Sequence, residues 1–195
     1  MSIYKIVGYY IFLDIHYTMK NFSIHQKLSH AKRLLYMTHM AMGDYVYQRM
    51  FLKKLKDKYP KLQIDLWFDN CSMKEGEWNL RRSQTLTEWF KEESFLTHLY
   101  PVAASLKERE AMIVRAQQEQ YDMIVFSVDL WSENYALVAR KISATAYVIG
   151  TLLHPYRKFF QKVKGFQACD KWIFASSSMN NKKLHITEFY QRRFE

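Results

Sequence analysis

The sequence predicts an α/β domain, an open, mostly parallel sheet flanked by helices, and three observations predict it. Short apolar runs alternate along the chain with charged stretches of helical period. The run Arg33-Leu34-Leu35-Tyr36-Met37-Thr38 leads into Met42-Gly43-Asp44, a turn that opens a long basic helix. Met123 to Val128 is almost continuously apolar, as expected of a strand covered on both faces.

Arg33 to Thr38 predicts the first buried strand, and Tyr45 to Tyr59 a helix that stops before Pro60. Leu62 to Phe68 predicts a second strand, so the segment reads as a βαβ unit. A polar stretch, Asp69 to Asn79, precedes a helix from Thr85 to Glu92 and a short strand at His98 to Val102. Lys107 to Gln120 interleaves charges with Ala111, Met112, Val114 and Ala116, the pattern of a surface helix with one packed face. A strand from Met123, a helix from Tyr135 to Ile142 and a strand from Ala146 to Ile149 follow, and a last helix is expected near Leu184 to Arg193.

Length and composition fit one domain, residues 31–195, with an extension at 1–30. The 195 residues match the roughly 100 to 200 of a typical domain. Apolar residues make up 49% and aromatics 16%, enough for a packed core, while 5 Gly and 3 Pro leave no room for a long linker. Ile3 to Ile15 is apolar but shorter than the roughly 20 residues of a spanning helix. Its front carries only Lys5 and no small-residue cleavage site follows, so it is not read as a signal peptide. With Lys20, Lys27, Lys32 and Arg33 behind it, it suits a helix lying in a membrane interface, or an extra element packed on the domain.

Lys and Arg total 29 against 19 acidic residues, a formal +10 that favours anionic partners. Nucleic acid is not expected among them, because no ribonucleoprotein strand motif, helix-turn-helix or zinc-finger spacing occurs. Cys71 and Cys169 lack histidines at ligand spacing, so no metal is expected, and reduced thiols suit the cytoplasm. No Gly-rich phosphate loop is present.

Ligands of open α/β sheets sit at the carboxyl ends of the strands, so Asp44 should face a cleft. An Asp ahead of a helix is also a common N-cap, and its charge suits the positive end of the helix. His39 lies near the same turn and lines the cleft or serves as an ordinary structural residue.

Met42-Gly43-Asp44-Tyr45-Val46, then Leu52 to Pro60, then Gln63-Ile64-Asp65-Leu66-Trp67, resembles the opening of the heptosyltransferase family of bacterial glycosyltransferases. Tyr121 to Phe126 with Leu130, Ser132 and Ala136 to Arg140 is similar to that family's central strand and following helix. His185 to Tyr190 is similar to the helix at which its first domain hands over to the second. The three matches come in family order and cover about residues 31 to 195.

The resemblance implies one Rossmann-like half of a two-domain GT-B enzyme, the half that binds the acceptor, a lipopolysaccharide core. The chain ends where the second half should begin, so it reads as a fragment, a separately encoded half or a decayed enzyme. No cofactor is expected on this half. An ADP-heptose-like nucleotide-sugar donor belongs to the other, either a second half or a partner chain. Asp44 is expected as the general base of an inverting transfer, with Gly43, His39, Arg81, Arg82, Lys107, Arg109 and Asp129 around the acceptor. The basic residues equally suit a solvated face, and Asp129 a simple turn former. Ser127-Val128-Asp129-Leu130-Trp131 departs from the Gln-Gly-Leu-type turn of relatives, which puts the acceptor's identity in doubt. The implied location is cytoplasmic and peripheral at the inner membrane.

Overall fold

The computed structural model describes residues 24–39, 42–68, 77–100, 103, 105–128, 132–152 and 164–174. The chain divides into two units, Met1–Ala31 and Lys32–Glu195. In the first, residues 24–30 are helical, closed by the Ala31 N–H donating to the Lys27 carbonyl at 2.9 Å. The apolar segment Ile3 to Ile15 lies outside the described residues, as does the expected helix Leu184 to Arg193.

In the second unit the order is β1 (Arg33–Thr38), α1 (Met42–Lys58), β2 (Gln63–Phe68), α2 (Glu77–Lys91), β3 (His98–Tyr100), α3 (Leu106–Gln117), β4 (Met123–Ser127), α4 (Ser132–Ile142), β5 (Tyr147–Leu152), α5 (Lys164–Gln167) and β6 (Lys171–Phe174). Among the described residues the strands form one six-stranded sheet, ordered β3-β2-β1-β4-β5-β6. Each neighbouring pair is parallel. This is the Rossmann-like open α/β arrangement, in which the direction of winding reverses between β1 and β4.

Registers Leu35↔Asp65 and Leu35↔Ile124 fix which side chains share a face. On one face Leu35, Met37, Trp67, Ile124, Phe126 and Val148 pack with Met112, Ile113 and Ala116 of α3 and Tyr135, Ala136, Ala139 and Ile142 of α4. The alternate residues Leu34, Tyr36, Ile64, Leu66 and Phe68 are buried on the opposite face. There Tyr36 bonds to Gln48 of α1, and Phe68 meets Phe90 of α2 edge-on at 6.2 Å.

Several boundaries differ from the sequence expectation for local reasons. Helix α2 begins at Glu77 rather than Thr85, because no Gly or Pro interrupts the chain from Glu77 to Lys91. Helix α3 ends at Gln117, three residues early; Gln120 adopts φ 51°, a left-handed conformation that closes the helix. Its buried stripe is Met112, Ile113 and Ala116, while Val114 is exposed. Strand β6 and helix α5 were not expected. Among the described residues no helix is long and apolar enough to cross a membrane.

Candidate functional site

The reversal between β1 and β4 sends the connections after these strands to opposite faces of the sheet, opening a crevice at their carboxyl ends. Their last residues, Thr38 and Ser127, are register partners. The Thr38 hydroxyl lies 3.2 Å from the Ser127 carbonyl and 3.3 Å from Gln48 Oε1, and its single proton serves one of them at a time. Tyr36 donates to the same Gln48 oxygen at 2.8 Å. On the far side, Thr151 Oγ1 accepts from the Val128 N–H and donates to the Val128 carbonyl, both at 3.1 Å. Ser132 Oγ adds a bond to the Val128 carbonyl at 3.3 Å. The end of β4 is thereby tied to β5 and to the first turn of α4.

Asp44 is the third residue of α1 and half-buried, so it is not the N-cap considered from sequence. It keeps the favourable position for a carboxylate, inside the first turn near the positive end of the helix. The backbone that carries it is anchored by its neighbours. Tyr45 and Arg49 both donate to Glu93, beyond the end of α2. Burial, and then the bond to Glu93, raise the Tyr45 phenol well above its ordinary range, so it stays a neutral donor. Tyr45 also meets Phe90 edge-on at 4.4 Å.

His39 directly follows β1, half-buried, with its ring parallel to that of Phe68 at a centroid distance of 6.5 Å. It bridges the ends of β1 and β2, within the same edge as Asp44. Gly43 is the second residue of α1. Arg81 and Arg82 lie within α2, in its second turn, rather than in a loop. Lys107 and Arg109 occupy the first turn of α3, where Ser105 is the N-cap and accepts from the Glu108 N–H at 3.2 Å. Strand β3, which precedes α3, is two positions from β1, so these two strands run about 10 Å apart and both helix starts follow carboxyl ends on the same edge of the sheet. Lys107 is exposed and Arg109 half-buried. Asp129 falls outside the described residues.

One functional-looking residue that sequence reading missed is Ser127, whose buried Oγ has no hydrogen-bond partner among the described residues. Gln48 was also missed: it sits within α1 between Tyr47 and Arg49, yet it is buried, accepts from Tyr36 and lies within reach of the Thr38 hydroxyl. Its only sequence signal is its place one turn after Asp44 on the same helix.

Asp65, the acidic residue of the second-strand motif, belongs to a different cluster. It is 0% exposed and accepts from Arg33 at 2.7 Å and from Tyr121 at 2.6 Å. Tyr100 OH lies 2.9 Å from Tyr121 OH, and Arg33 also bonds Glu119. Burial and the Asp65 bond raise the Tyr121 phenol far above its usual value. Asp65 therefore holds the core beneath α3 together and does not reach the crevice.

Among the described residues no group of three His, Cys, Asp or Glu is arranged to hold a metal. Cys169 is buried and donates to the Lys171 carbonyl at 3.0 Å; burial pushes its thiol up to about 12, leaving it a poor nucleophile or ligand. No protein-family model and no curated protein matches the chain.

Proposed function

We propose that this chain is the acceptor-binding half of a heptosyltransferase-like glycosyltransferase, which transfers a sugar from a nucleotide-activated donor to a lipopolysaccharide core or related glycan. The observation that carries the reading is the edge beside the β1/β4 reversal, where His39 and the first turn of α1 with Asp44 stand together. Such a crevice is the usual ligand position in an open α/β sheet. The ordered motifs from Met42 to Phe126 support the family assignment, and the formal +10 suits a phosphorylated acceptor.

In the mechanism, an acceptor hydroxyl attacks the anomeric carbon of the donor sugar from the face opposite the nucleotide. Asp44 takes the hydroxyl proton as the new carbon–oxygen bond forms and the bond to the diphosphate breaks, so the configuration inverts. Lys107 and Arg109, on the same strand edge, attract the anionic groups of the acceptor. The ADP-heptose-like donor and the charge of the leaving diphosphate are assigned to a donor-binding half, in the same protein or a partner. A cytoplasmic location, peripheral at the inner membrane, goes with this reading. Nucleic acid is not proposed as a partner.

The alternative is a noncatalytic module that binds an anionic glycan or lipid headgroup, and the altered turn from Ser127 to Trp131 favours it. One experiment separates the two. With a donor-binding half supplied, D44N should lower transfer by about 10² to 10⁴-fold, the range for a lost general base, with glycan binding unchanged. Full turnover by D44N refutes the base assignment. Glycan binding without turnover in the native sequence supports the module.

A further inference from the structure

We infer that the outer face formed by α1 and the end of α2 is a docking surface for an anionic lipid bilayer. Val46 is 51%, Met50 54% and Trp89 43% exposed, an unusual concentration of large apolar side chains on one surface. Val46 and Met50 stand one turn apart on α1 and therefore share a face. The Trp89 ring lies 6.1 Å from that of Tyr45, the residue before Val46. Arg49, three residues after Val46 and so its neighbour around the helix on the side away from Met50, reaches Glu93 just beyond α2. Val46 thus borders the side of α1 that meets α2, beside Trp89, and Met50 follows it around the helix toward solvent.

The same surface continues into exposed Lys53, Lys54 and Lys58 on α1 and Lys61 after it. Lys54 Nζ sits 5.9 Å from the Phe51 ring centre and Lys58 Nζ 5.7 Å from that of Tyr59. In both, the ammonium group itself stands over an aromatic ring, and both lysines are exposed. Against them stand exposed Asp57, Glu88 and Glu92, of which Glu88 is paired with Lys91 at 2.6 Å. A tryptophan, two aliphatic side chains and a lysine rim are the composition of a surface that lies on a bilayer. The rim decides between a bilayer and an acidic protein. Lysine is a mobile, strongly hydrated point charge suited to a diffuse negative surface, whereas fixed carboxylates are recognised best by arginine, and the arginine here is already engaged by Glu93.

Val46 and Met50 belong to the half of α1 nearest Asp44, so this contact sets the carboxyl edge of the sheet beside the lipid surface. The inference rests on the peripheral-membrane part of the reading above and is independent of glycosyl transfer. It is tested by flotation of the full chain with vesicles of phosphatidylcholine alone or mixed with phosphatidylglycerol. The chain should bind the mixed vesicles and not the neutral ones. K53Q/K54Q should weaken binding about 25-fold, taking about fivefold for each lysine near an anionic surface. V46Q/M50Q should weaken it about tenfold or more through lost apolar burial. L106Q/V114Q, which removes two exposed apolar side chains from α3, should change nothing. All six positions are exposed, and an unchanged unfolding midpoint identifies folded variants. Equal binding to neutral vesicles, no binding, or full binding by V46Q/M50Q would overturn the inference. So would self-association that V46Q/M50Q abolishes in a chain that ignores vesicles, or capture of an acidic protein in their place.

Discussion

Replacing Asp65 by alanine should cost about 3 to 5 kcal/mol of folding stability, the usual penalty for removing one partner of a buried ion pair. The carboxylate is 0% exposed and accepts from the Arg33 guanidinium at 2.7 Å and the Tyr121 hydroxyl at 2.6 Å. Hydrogen bonds to charged groups are worth about 1.5 to 3 kcal/mol each, so two of them account for that range. The lower end is favoured because Arg33 keeps Glu119 and is itself 23% exposed, so water recovers part of its loss. At about 2 to 4 °C per kcal/mol for a protein of this size, the unfolding midpoint should fall by about 6 to 12 °C. Asp65→Asn is the informative companion. Asp65 Oδ1 has no partner among the described residues, so the amide nitrogen can take that position while the carbonyl keeps both donors. The asparagine variant should therefore cost well under half as much. Urea titrations of the native chain, D65A and D65N measure this directly. A cost below about 1 kcal/mol for D65A, or equal costs for the two variants, would refute the reasoning.

Two further predictions concern stability. A Cβ at Gly150 would stand 2.1 Å from Phe126 Cζ and 2.8 Å from Trp172 Cζ3, so Gly150→Ala overpacks the face beneath α4. It should cost about 1 to 3 kcal/mol, and F126L in the same chain should relieve part of it, giving a double-mutant cost below the sum of the singles. At alkaline pH, burial holds the Cys169 thiol at about 12 against 9.0 in the unfolded chain and raises the Tyr45 and Tyr121 phenols. The unfolded state then loses these protons first, so their stabilisation is complete below pH 9 and declines as pH rises toward 12. Urea midpoints measured from pH 8 upward should fall accordingly, with a shallower fall in Cys169→Ala; a flat profile contradicts the assignment.

How much was legible in the sequence depended on whether a signal was local. Strand β1 was read to the residue, because six apolar-rich positions lie between Lys32 and His39 and pair on both sides. Strand β6 escaped because Lys171–Phe174 is four residues at the sheet edge, too short for a period to register. The start of α2 escaped because polar residues after Gly76 look like a loop when only apolar spacing is counted. In the candidate site, the placement of Asp44 and His39 at the strand edge followed from the βαβ pattern alone. The roles of Gln48, Ser127 and Thr151 did not, since their contacts join residues from α1, β1, β4 and β5 that only the register brings together. Asp65 stands in a family-like motif in the sequence, but its place in the core depends on Arg33 and Tyr121, 32 and 56 positions away, which only the fold brings to it.

The most direct test of the central claim is a titration of the isotope-labelled full chain with lipopolysaccharide core oligosaccharide, followed residue by residue by nuclear magnetic resonance. Acceptor binding predicts salt-sensitive shifts at His39, Asp44 and the first turn of α3, weakened by K107Q/R109Q. No binding, or shifts confined to the amino ends of the strands around Arg33 and Asp122, would contradict it.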